Sequence, residues 1–116
     1  MWQPGRMAYD EALADRVREI IDNRPYVTEK KMFGGLGFLA NGNMAFAALG
    51  HGGAMARVDK DEYEALLEEP GAVEMVMHDH PMRGWIRLDD EVTGSEERLR
   101  EWVERGLSYA ESLPPK

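Results

Sequence analysis

The sequence contains no cysteine. Disulfides, thiolate nucleophiles and cysteine-ligated zinc are excluded by that alone. It also lacks a usable membrane span. Met32 to Ala56 carries no formal charge, but seven glycines, with Asn41, Asn43 and His51, cut it into turns. No apolar leader follows Met1-Trp2-Gln3-Pro4-Gly5-Arg6. These absences predict a cytoplasmic protein with no membrane partner. There is no Gly-Lys-Ser/Thr, hence no phosphate-binding P-loop. Acidic residues are missing from Lys30 to Val58, although the whole chain has a net charge of −8. That net charge speaks against nucleic acid as a partner unless a local basic face exists.

What is present fits one domain. A chain of 116 residues is long enough for one and short for two. Residues 1–6 read as a flexible lead and 7–116 as the domain. Leu13, Val17, Ile20 and Ile21 recur at helical spacing, with charge on the other face, and predict a helix over 8–23 ended by Pro25. Leu99, Trp102, Val103, Leu107 and Ala110 predict a last helix. Asp59-x-x-Glu62 and Thr93-x-x-Glu96 both resemble capping boxes.

Between the helices the period changes to two. Asn41-Gly42 is a two-residue hairpin turn signal, since such a turn needs positive φ at both positions. With that loop, Phe38 is expected opposite Ala45, and Phe46 over Gly37. Both faces of the hairpin come out apolar, so one is left for more chain, a partner or a second copy to cover. Val73, Met75 and Met77 alternate as a half-buried strand, with 84–88 as its partner. The expected order is α-β-β-β-α-β-β-α. The fold class is α+β, a two-layer sandwich with a mostly antiparallel five-stranded sheet.

Three stretches carry a resemblance: Lys31-Met32-Phe33-Gly34-Gly35-Leu36-Gly37-Phe38-Leu39-Ala40-Asn41-Gly42-Asn43-Met44-Ala45, Met55-Ala56-Arg57-Val58, and Pro81-Met82-Arg83-Gly84-Trp85-Ile86. With the Trp102-Val103 helix they resemble the TfoX N-terminal domain family of competence regulators. The resemblance implies a sandwich similar to type III secretion chaperones, a fold often met as a dimer. It brings no catalytic residues and no cofactor. The full-length regulators also carry a helical C-terminal domain, and the chain is expected to stop before one.

Candidate sites are few. Gly35-x-Gly37-x-x-Ala40 matches a dinucleotide fingerprint in letters only, because a hairpin follows where a helix N-terminus is needed. His78 and His80, with the Asp79 carboxylate between them and His51 as a further group, are the candidate metal ligands, and the simpler reading is a polar hairpin rim. Lys31, Arg57, Arg83, Trp85 and Arg87, joined by Lys30, are the candidates for a basic, aromatic-bearing surface that binds an anion, RNA or an acidic partner. The simpler reading puts Trp85 in the core and pairs the arginines with helix acids. Two functions follow: a regulatory or protein-interaction module without catalysis, or a small ligand-binding domain or enzyme with a pocket near His51, Arg57 and Arg83.

Overall fold

A computed structural model describes residues 9–32, 34–50 and 52–116. The expected flexible lead, His51 and Phe33 of the family motif lie outside the described residues. The first helix is α1, Glu11–Ile21, shorter than the 8–23 expected. It starts at Asp10, whose carboxylate accepts from the amides of Ala12 and Leu13. Then come β1 (Val27–Met32), β2 (Gly35–Ala40), β3 (Asn43–Ala48) and β4 (Ala54–Arg57). One helical turn, α2 (Tyr63–Leu66), precedes β5 (Ala72–Met77) and β6 (His80–Leu88). Short α3 (Asp90–Thr93) and long α4 (Glu96–Ser112) close the chain.

Among the described residues six strands, not five, make one antiparallel sheet in the order β1-β2-β3-β4-β6-β5. The added strand is β1. Its sequence, Val-Thr-Glu-Lys-Lys-Met, has no apolar alternation, because it is an edge strand held by backbone pairing to β2. The charges also protect that edge from pairing with other chains.

The hairpin register differs from expectation. Asn41 and Gly42 hold the turn, with φ of 52° and 84°. Leu39 pairs with Met44, but the register then slips by one. Ala45 is the extra residue of a bulge, Phe38 faces Phe46, and Gly37 faces Ala47. The side chain over Gly37 is therefore the Met44 thioether rather than Phe46. Both phenylalanines point to the helices and are fully buried.

The capping also differs. Asp59 accepts from the amide of Asp61, two residues on, and does not cap α2, which starts only at Tyr63. Asp89 caps α3 and Ser95, not Thr93, caps α4. The expected caps sit three residues early at Asp59 and two residues early at Thr93.

The helix layer lies on one face of the sheet. Leu13, Val17 and Ile20 of α1 join Leu99, Trp102, Val103 and Leu107 of α4 in one core with Phe38, Phe46, Ala56, Ile86 and Leu88 of the sheet. Burial of this apolar surface is the main stabilising term. The C-terminal residues lie against the hairpin turn. The buried Asn43 side chain donates to the Pro114 carbonyl (3.0 Å), and the Lys116 amide donates to the Asn41 carbonyl (2.9 Å).

One ion pair ties α1 to the edge of the sheet. Arg18 donates twice to Glu29 of β1, at 2.6 and 2.8 Å. These bonds hold the Glu29 carboxyl below its usual range. The stability it adds is present above the ordinary carboxylate value and is lost as pH falls through the lowered one. Both side chains are well exposed, so the effect is small. Glu29→Gln is expected to lower the unfolding free energy at pH 7 by about 0.5 kcal/mol. In urea titrations the gap should be smaller at about pH 3 than at pH 7, because the contribution begins to fall below the ordinary carboxylate value and is fully lost only below the lowered one. An equal gap at both pH values would rule out the charge as its source.

Candidate functional site

The strand residues that face away from the helices define the site. Pleating puts residues of one parity in the core and the other parity on the open face. The register places Lys30 beside Gly37, Gly37 beside Ala47, Ala47 beside Met55, and Met55 beside Arg87. Val73 of β5 stands next to Arg87 and is 43% exposed. Leu39, Met44 and Met55 lie on interior strands yet are only half-buried. Among the described residues no second layer fully covers Leu39, Met44 and Met55, although Gly37 and Ala47 between them are buried.

The open face is concave at one end. Met32 of β1, Met55 of β4, and Met75 and Met77 of β5 line one hollow of about 50 Å³. Strands β1 and β5 are the two edges, so the sheet bends until its edges approach over this face. An irregularity in β5–β6 pairing between Glu74 and Val76, with Gly84 at a φ of 96°, lets the end of that hairpin turn inward.

The basic and aromatic candidates divide between the faces. Arg57 and Trp85 are direct cross-strand neighbours. The Arg57 guanidinium lies 5.8 Å from the Trp85 ring and 5.7 Å from the Tyr109 ring, and donates to the Met44 carbonyl. Arg87 stands on the same face. Arg83 does not join them. It donates to Glu64 at 2.8 Å and lies over the Tyr63 ring of α2. Lys31 sits opposite Leu36, at a helix-side position, and Lys30 takes the open-face place instead. The sequence had no signal to choose between two adjacent lysines without the register of β1.

His78 and His80 are exposed at the tip of the β5–β6 hairpin, with Asp79 between them. Among the described residues no group of three His, Asp or Glu side chains is placed to hold a metal ion. A separate cleft of about 540 Å³ lies along α4. It is lined by Asp59, Glu62, Glu101 and Glu104, with Arg105 and Tyr109. Four carboxylates make it a poor site for an anion. Neither Arg57 nor Arg83 lines it.

Residues 19–110 match the family model of the TfoX N-terminal domain. The chain belongs to the TfoX N-terminal domain family. No curated protein matches it. In this TfoX N-terminal domain the matched segment runs from α1 into α4, so it includes every described strand and the whole open face. No described helix is long and apolar enough to cross a membrane.

Most ion pairs of the described TfoX domain involve arginines of the helix layer, although Arg100 of α4 has none and Arg83 of β6 has one. Arg16, Arg18, Arg24, Arg98 and Arg105 in or beside the helices all pair with carboxylates. Among the described residues Lys30, Arg57 and Arg87 pair with none. The two acids on regularly paired strand positions, Glu29 and Glu74, stand opposite Phe38 and Ile86 and belong to the helix side. The paired positions of the open face thus carry cations only, on a chain of net charge −8.

Proposed function

We propose that this domain is a protein-interaction module without catalysis, and that it docks its partner on the open face of the sheet. The observation that carries the reading is the partly exposed apolar group Leu39, Met44 and Met55, on strands that have neighbours on both sides, with the exposed Val73 beside it. Apolar surface of this kind, rimmed by charge, marks interaction sites on soluble domains. Methionine suits the task because its unbranched thioether adapts to the shape it meets. A regulatory setting, as in the competence regulators that give the family its name, is consistent with a domain whose work is association.

The test places a photo-crosslinking benzoyl-phenylalanine at Met55 and, in a second protein, at Arg100 on the exposed side of α4. In cells, Met55 is expected to yield a discrete adduct with another protein that Arg100 does not. Identical adduct patterns from the two positions, or none from Met55, would overturn the reading.

A further inference from the structure

The charge on the open face narrows the partner further. We infer that it takes an acidic polypeptide segment whose carboxylates flank a stretch of apolar side chains. This rests on the docking role proposed above and adds the chemistry of the partner.

The support is complementarity. Lys30 is on β1 and Arg87 on β6, four strand spacings away. That is at most roughly 19 Å along a sheet with ~4.8 Å between strands. Between them Gly37 and Ala47 are buried, Gly37 beneath the Met44 thioether, so the surface on offer is that of the partly exposed Met44 and Met55, which is apolar. A bound segment must therefore present negative charge at both ends and apolar groups between. About six extended residues, or about thirteen helical ones, cover the span. Neither cation is neutralised from within the described chain, so each keeps its full attraction for an incoming carboxylate.

The same charges argue against the other occupants. A second copy meeting this face with its own would set cations against cations, with no acid at the paired positions to offset them. Single-stranded nucleic acid favours several stacking aromatics along a basic groove. Here Trp85 is the one aromatic at the regularly paired open-face positions, and methionines fill the middle.

The experiment uses the full chain and three labelled thirteen-residue peptides. One has Asp and Glu at both ends and Leu and Phe between. The second replaces its acids with Lys, and the third keeps the acids but replaces Leu and Phe with Ser. Oligothymidine is a fourth probe. Binding is read by anisotropy at low and high salt, and the site by methyl NMR of the methionines. The acid-flanked apolar peptide is expected to bind at least about ten-fold more tightly than the other two, and to weaken with salt. Its binding should shift the Met32 and Met55 methyls. The double variant Lys30→Glu/Arg87→Glu should lose about ten-fold in affinity, Lys30→Gln/Arg87→Gln less, and Arg100→Glu nothing. Both charge positions are exposed, and unchanged circular dichroism checks that the variants fold.

Equal binding of the lysine peptide, or full binding by the double glutamate variant, would overturn the inference. Tighter binding of oligothymidine at the same methyls would overturn it too, by replacing polypeptide with nucleic acid. Failure of every probe while Met55 still crosslinks to a protein in cells would defeat the acidic-segment chemistry and leave the docking face standing. Loss of both results defeats both.

Discussion

Trp102→Ala is expected to cost about 3–5 kcal/mol, which is the range for removing a large buried aromatic. The whole stability of a domain this size is on the order of 5–15 kcal/mol. The variant should therefore be unfolded or close to it near physiological temperature. Trp102 is on the buried stripe of α4 and has no exposed surface. The Arg105 guanidinium covers its ring at 4.5 Å. Removing the indole opens a cavity between two elements that the sheet holds in place, so the gap cannot collapse freely. Trp102→Phe should lose less than half as much. Among the described residues the indole N–H has no hydrogen-bond partner, so phenylalanine gives up ring area but no bond. Urea titrations followed by far-ultraviolet circular dichroism give both numbers. A loss below about 1 kcal/mol for alanine would mean that α4 does not seat on the sheet through this residue.

That stripe was legible in the sequence, and the reason is periodicity. Leu99, Trp102, Val103, Leu107 and Ala110 are all buried, as are Leu13, Val17, Ile20 and Ile21 of α1. A helix announces its buried side through spacing alone. The family could also be read, from an ordered set of strand segments. Strand β1 could not. Its residues alternate in no apolar pattern, since an edge strand can be held by main-chain bonds that leave no mark on side-chain choice. The bulge at Ala45 was invisible for a related reason. One alanine among Asn43-Met44-Ala45-Phe46-Ala47-Ala48 looks like another, and only pairing tells which is extra. The consequence reached the candidate site. Without β1 there was no register to choose Lys30 over Lys31. Without the turned end of the β5–β6 hairpin there was no reason to bring Met75 and Met77 to Met32 and Met55. The site is a property of sheet curvature, which sequence patterns encode only weakly.

Gly106→Ala is expected to destabilise, against what helix propensity says. Gly106 is in the interior of α4, where alanine ordinarily gains about 1 kcal/mol over glycine. Here the position is a close approach rather than a defect. A Cβ on Gly106 would fall onto the carbonyl oxygen of Ala45, far inside van der Waals contact, with the Arg57 carbonyl next beyond it. Ala45 is the bulge residue, so the helix backbone meets the sheet backbone where the strand is already bent outward. Neither side can yield by rotating a side chain. The helix must lift, which opens the contacts of Trp102, Val103 and Leu107 on the same stripe. Overpacking of this kind costs about 1–3 kcal/mol, enough to outweigh the propensity gain. The displacement should also reach the open face. Tyr109 lies one turn along α4, against the Arg57 guanidinium, and Arg57 donates to the Met44 carbonyl. Gly106→Ala should thus shift the Met44 methyl resonance as well as lower the urea midpoint, whereas Arg100→Ala, on the exposed side of the same helix, should move neither. A Gly106→Ala protein more stable than its parent would show that α4 and β3 stand further apart than the structure places them.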